Sequence, residues 1–163
     1  MKSTLFRKIA VATDGSEQVR KAVDSAIEIA KLSDAKLYAV HVIALRFYSI
    51  IHSTDSEWEK AMREQLMKEG TEATAYIENA GRAANVEVES VILEGNPAEE
   101  IINFAENNDI DLIVMGTHGM TGIPRFLLGS VAENVVRHAK KAVLVVRGEA
   151  ARKKTLLDLM QIL

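Results

Sequence analysis

Five short apolar runs, each separated from the next by a longer stretch, constrain this chain more than any other feature. The runs are IAVAT (9–13), AKLYAVHVI (35–43), VEVESVILE (86–94), the segment from Asp109 to Met115, and AVLVVR (142–147). Short runs of this kind fit strands covered on both faces. Between the first two, from Glu17 to Leu32, Val19, Ala22, Val23, Ala26 and Ala30 fall on one helical stripe opposite a charged face. A helix of that length is the crossover that two parallel strands require. VEVESVILE starts with period-two alternation and ends apolar, as a strand near a sheet edge does. Five strands alternating with four helices predict an α/β chain: an open parallel five-stranded sheet, Rossmann-like, with helices on both faces.

The remaining segments have their own signals. A second helix starts at an Asp55 or Ser56 cap and runs to about Asn85, with Trp58, Met62, Leu66, Ala73, Ile77, Ala80 and Ala84 on one stripe. Gly70 lies inside it and is expected to weaken or bend it. Gly95-Asn96-Pro97 reads as a turn with Pro97 opening a third helix, whose Ile101, Ile102 and Ala105 face the core. Residues 44–55 lack a clear period yet hold Leu45, Phe47, Tyr48, Ile50 and Ile51, so this loop is expected to be covered. Residues 1–147 make one α/β domain, and 148–163 a tail in which Leu156, Leu159, Met160 and Leu163 recur at helical spacing.

Charge and composition exclude several functions. A formal charge of −3 gives no net basic field to hold a polyanion, so nucleic acid is not an expected partner. The chain has no cysteine, which removes disulfide and thiol chemistry. No apolar run approaches the roughly 20 residues of a membrane span, and the first residues do not form a signal peptide. A cytoplasmic protein is expected.

The candidate chemistry lies in GTHGMTGIPRFLLGSV (116–131), between the fourth apolar run and a helical stripe of Val131, Val135 and Ala139. Gly116 and Gly119 place backbone without Cβ where a ligand must come close, and Gly129-Ser130 stands at the helix start. Free N–H groups and a positive dipole end there suit a phosphate. The spacing Gly-x2-Gly-x9-Gly-Ser is neither the Rossmann GxGxxG nor a Walker loop. On their own, the same glycines also make a tight strand-to-helix turn.

Together with VATDGS (11–16), AVHVI (39–43), GNPAEEI (95–101) and AVLVVR, this loop resembles the nucleotide-binding branch of the universal stress protein family, over residues 7–147. The resemblance implies strand order 3-2-1-4-5, with Asp14 and Gly116 meeting at the switch point where such sheets bind ligands. It implies that Ala12, Thr13 and Asp14 hold an adenosine, with Asp14 accepting hydrogen bonds, and that the Val42 backbone reads the adenine edge. Met115 and Gly116 end the fourth strand, with Gly116 against the ribose, and Gly119, Gly129, Ser130 and Val131 contact phosphates. His118 and Arg125 are further loop candidates for phosphate. Ala132 departs from the Thr or Ser sometimes found there and removes one hydroxyl contact. Without that context, Asp14 reads as a turn residue and Val42 as core.

The implied ligand is ATP, or ADP or AMP, with Mg²⁺ held mostly by phosphate oxygens and water. The implied assembly is a homodimer through the last strand (142–147). The tail lies beyond what the resemblance covers, and its apolar residues are expected either to support a higher oligomer, docking through 155–163 on the partner subunit or on loop 44–55, or to stay a flexible extension. His41 reads as a structural histidine, and His52 and His138 have no metal-site spacing. No catalytic triad is apparent and the glycine loop lacks Lys, so a nucleotide-dependent regulatory switch in stress response is expected ahead of a slow ATPase. An interaction module of the same fold that binds no nucleotide is the third reading.

Overall fold

The computed structural model describes residues 5–44, 57–117 and 128–148. Its elements are β1 (Lys8–Ala12), a 3-10 turn (Glu17–Val19), α1 (Arg20–Ser33), β2 (Lys36–Ala44), α2 (Glu57–Ala83), β3 (Val88–Gly95), α3 (Pro97–Asn107), β4 (Leu112–Gly116), α4 (Ser130–His138) and β5 (Ala142–Val146). The strands form one sheet in the order β3-β2-β1-β4-β5, every pair parallel. The edge position expected for VEVESVILE is where β3 lies.

Side-chain alternation along the strands divides the core into two layers. Ile9, Val11, Leu37, Ala39, Leu112 and Val114 pack on one face against α1 and, through Ile77, against α2. Ala10, Val40, Ile113 and Met115 pack on the other against Ala98, Ile101 and Ala105 of α3 and Ala132 and Val135 of α4. Each fully buried Ile, Leu or Val contributes about 1.5–3 kcal/mol of transfer free energy, which makes these two layers the main source of stability.

The ends of the helices follow local chemistry. α1 ends where Asp34 turns left-handed, at φ 58°, and the Ala35 N–H returns to the Ala30 carbonyl. α3 starts as the sequence predicts: Asn96 Oδ1 accepts from the Ala98 N–H at 3.1 Å and Pro97 takes the first turn. α2 runs through Gly70 as one continuous helix, and the glycine has a packing role there. A Cβ at residue 70 would stand 2.8 Å from His41 Cδ2, and the missing side chain lets the imidazole lie against the helix. The cap candidates Asp55 and Ser56, the apolar residues 45–51 and the tail from 149 onward lie outside the described residues.

At the amino-terminal edge of the sheet, Asp111 fastens β1 to β4. Its Oδ2 accepts the backbone N–H groups of Arg7 and Lys8 at 2.8 and 3.0 Å. Burial pushes the carboxyl up, but these two hydrogen bonds together with the Lys141 and Arg7 charges hold the group below the usual carboxylate value. On the same edge, Lys36 lies between Glu89 and Glu87, at 2.8 and 3.0 Å, across the β2–β3 pair.

Candidate functional site

The carboxyl ends of β1 and β4 lie side by side. Pairing of Val11 with Val114, continued by two positions, sets Thr13 beside Gly116. On the other side, Ala12 pairs with Val40, and the same continuation sets Asp14 beside Val42. Chain order winds away from β1 in one direction and from β4 in the other, so the sheet surface opens between them into a crevice.

β1 ends because its next residues spend their polar groups locally. The Thr13 N–H still reaches the Val40 carbonyl at 2.9 Å, while its Oγ1 accepts from the Gly15 N–H at 3.1 Å. Asp14 Oδ1 accepts the Ser16 N–H at 2.9 Å, an Asx turn. Gly15 has φ +78°, a value that favours glycine, and an added Cβ there would also meet Ala73 of α2 at 3.3 Å. The chain therefore turns sharply toward α1, and Asp14 remains at the mouth of the crevice.

β2 continues four residues past Val40, the partner of the last residue of β1. The Val40 carbonyl faces β1, so by alternation the N–H and C=O of Val42 face the same side, beyond the end of β1. A parallel ladder would bring the Val42 N–H to the Thr13 carbonyl. His41 Nδ1 lies on that carbonyl at 3.0 Å. A carbonyl only accepts, so Nδ1 carries the proton and His41 is a satisfied structural histidine, as expected.

The glycine loop is closed at its base by Thr117. The Thr117 N–H reaches the Val146 carbonyl of β5 at 3.1 Å, and the Thr117 carbonyl accepts from the Gly129 N–H at 2.8 Å. Both ends of the loop are thereby held at the carboxyl end of β4. α4 then starts at Ser130 with Gly129 as its cap, extended at φ −62° and ψ 154°, and this cap has no side chain to offer. The contrast with α3, whose first N–H groups are taken by Asn96, leaves the α4 terminus suited to an outside anion. Ser130 is exposed and Val131 half-buried, while Ala132 is 3 % exposed and sits in the core.

The structure thus brings together Ala12, Thr13, Asp14, Val42, Gly116, Gly129, Ser130 and Val131 at one edge of the sheet. Met115 also ends β4, but its side chain is 4 % exposed and packed against α3 and α4, so only its backbone faces the site. His118, Gly119 and Arg125 lie outside the described residues. His138 is at the far end of α4, exposed, with Nδ1 on the Asn134 carbonyl at 2.9 Å. Among the described residues, no group of three His, Asp or Glu side chains is arranged to hold a metal.

Two features of the crevice were not foreseen. Thr117 closes the loop with its backbone, an act that no side-chain pattern encodes. Behind the turn, Ser16 Oγ and Gln18 Oε1 are buried with no hydrogen-bond partner among the described residues. The sequence reads Asp14-Gly15-Ser16 as a turn with helix-capping residues, but Ser16, at the cap position of the 3-10 turn, makes no side-chain cap hydrogen bond.

Comparison with known proteins agrees with this architecture. The family described as Universal stress protein family matches residues 5–147. A universal stress protein of Methanocaldococcus jannaschii is 43% identical over 143 residues, covering 88% of this chain and 83% of the relative. The solved hypothetical protein MJ0577 superposes with a TM-score of 0.79 at 31% identity, covering 90% of this chain and 99% of that one. A universal stress protein solved in complex with cAMP has a TM-score of 0.67 at 27% identity, covering 88% of this chain and 98% of that one. With the family match running over residues 5–147 and a relative 43% identical along 88% of its length, this chain belongs to the universal stress protein family.

Proposed function

We propose that this protein binds an adenine nucleotide in the crevice between β1 and β4 and acts as a nucleotide-dependent switch in stress response. The observation that carries the reading is convergence: the Asp14 carboxylate, the outward backbone of Val42 and the capless start of α4 meet at one sheet edge. Each suits a different part of one ligand. Asp14 is an acceptor for ribose hydroxyls, the Val42 N–H and C=O form a donor–acceptor pair for a base edge, and the Ser130 and Val131 N–H groups face phosphate. Gly116 lets the sugar approach the strand end. In the same reading Gly119, His118 and Arg125 complete the phosphate side.

The cAMP held by a related protein of the family supports adenine as the base. The ligand of this chain is ATP, ADP or AMP. Mg²⁺ accompanies a di- or triphosphate, held mostly by phosphate oxygens and water. Switching follows from the construction, because ligand bound at the start of α4 is joined through Thr117 to β5 and so to an edge of the sheet. The protein works as a cytoplasmic homodimer through β5.

Equilibrium titration of the purified protein with ATP, ADP, AMP and GTP, each with Mg²⁺, tests the reading. Saturable binding of an adenine nucleotide, weakened at least tenfold for GTP, is expected. Equal affinity for ATP and GTP would remove the role given to Val42, and no binding of any of the four would remove the function.

A further inference from the structure

The apolar stripe of α2 does not stop where the sheet stops. Ile77, Ala73 and Gly70 are buried against β2 and β3, and the stripe then continues through Leu66, Met62 and Trp58. His41 packs against Gly70 and β2 ends three residues later at Ala44, whereas α2 extends to Glu57. At 1.5 Å per residue the helix from Gly70 to Trp58 runs about 18 Å, while three strand residues cover about 10 Å. The stripe therefore overhangs the carboxyl edge of the sheet, and its exposure rises to 37 % at Met62 and 54 % at Trp58. Core-type residues in line with a buried stripe mark a surface with an occupant.

The path of the chain after β5 indicates which occupant. β5 is an edge strand, two strands away from β1, yet Gly148 lies so close to the turn before α1 that a Cβ there would run into the Gln18 backbone carbonyl. The chain has crossed from the sheet edge onto the face that carries α1 and α2. The same turn region touches α2 directly, with Gly15 against Ala73 and the Arg20 guanidinium 5.4 Å from the Tyr76 ring centroid. Beyond Gly148 the sequence continues EAARKKTLLDLMQIL. Residues 149–154 reach up to about 20 Å when extended, and they set out from a turn region that already touches Ala73 of α2. The next nine, 155–163, span about 13 Å as a helix, against about 12 Å between Leu66 and Trp58.

The order of residues along the two segments also matches. Running along α2 toward its start, the tail carries Arg152, Lys153 and Lys154 past the exposed Glu72 and Glu69, and then Leu156, Leu159, Met160 and Leu163 along Leu66, Met62 and Trp58. We infer that residues 155–163 dock, within the same chain, as an amphipathic helix antiparallel to the overhanging first half of α2, with the basic triad over Glu69 and Glu72. This inference is independent of the nucleotide reading.

The absence of cysteine makes the test direct, since an introduced pair is the only thiol pair in the molecule. The full chain carrying Met62→Cys and Leu159→Cys, oxidised at low micromolar concentration, is expected to give an intramolecular disulfide, read as a monomer of altered mobility. A control pair, Val136→Cys with Leu159→Cys, joins the tail to the exposed side of α4 and is expected to give none. A disulfide-linked dimer from the first pair would place a second copy on the stripe and overturn the inference, as would equal cross-linking of both pairs or none of either. The single tryptophan, Trp58, gives a second readout with the natural thiol-free chain. Leu159→Glu is expected to shift its emission to the red and raise acrylamide quenching about two-fold, independently of protein concentration and with the cooperative melt preserved. Unchanged emission and quenching would contradict the docking.

Discussion

At the residue scale, Asp14 is asked to do two things, and a pair of substitutions separates them. Its Oδ1 holds the turn through the Ser16 N–H, and in the proposed function its carboxylate accepts from the nucleoside. Asp14→Asn keeps an amide oxygen for the turn and removes the charged acceptor. Hydrogen bonds to charged groups are worth about 1.5–3 kcal/mol, so Asn is expected to weaken nucleotide binding by one to two powers of ten with little change in melting temperature. Asp14→Ala is expected to lose both. Calorimetric titration beside thermal melts reads the two effects separately. At the opposite edge, Asp111→Ala is expected to cost about 1–2 kcal/mol of stability at pH 7 by stripping the Arg7 and Lys8 N–H groups of their acceptor. Because the folded carboxyl lies below its unfolded value, its contribution is full above pH ~4 and is lost as the pH falls through the folded value. Urea melts of both proteins from pH 7 down to pH 3 are expected to converge at the acid end. Asp14 was legible because it follows an apolar run in VATDGS. Asp111 was not, since an acid before a strand reads equally as a turn residue.

At the scale of elements, the strands and helices were legible because their periods differ, and because β-branched runs here are short while helical stripes are long. Boundaries moved by a residue or two where backbone bonding decided them, as when β1 began at Lys8 and ended at Ala12. Gly70 shows what periodicity omits. In sequence it is a defect in a helix, and in the fold it is the space that His41 needs to reach the Thr13 carbonyl. Gly70→Ala gains up to ~1 kcal/mol in helix propensity but forces the ring off its hydrogen bond, an overpacking cost of about 1–3 kcal/mol. A net loss of stability is expected by chemical denaturation, together with loss of the low-field imidazole N–H resonance of His41. Ala132 lacks the hydroxyl of a Thr or Ser, and its burial in the core explains the small residue there. The α4 start was readable as a helix terminus from Gly129-Ser130, whereas its closure onto Thr117 rests on backbone bonds alone.

At the scale of the whole molecule, the parallel sheet, its order and its switch point place Asp14, Val42 and Gly129 at one edge, although more than a hundred residues separate the first from the last. The class of fold followed from alternation of elements, but the strand order came from the resemblance, because periodicity does not say which strands are neighbours. β5 pairs only with β4 among the described strands, and its outward N–H groups belong to Val143 and Val145. Proline is tolerated where a strand N–H faces away from the sheet, so Val143→Pro is expected to keep the fold and halve the mass of the proposed homodimer by native mass spectrometry. An unchanged dimer mass in a folded variant would move the interface elsewhere. Nucleotide binding has a global signature too, since ligand at 100 times its dissociation constant adds about 2.7 kcal/mol to stability. The most direct test is to heat-denature the purified protein, separate the supernatant by anion exchange and identify what is released by ultraviolet spectrum and mass. Adenine nucleotide in near-stoichiometric amount from the natural chain, and little from Asp14→Ala, is the predicted result. No released nucleotide, together with no rise in melting temperature when ATP and Mg²⁺ are added, would contradict the account and leave the fold as an interaction module.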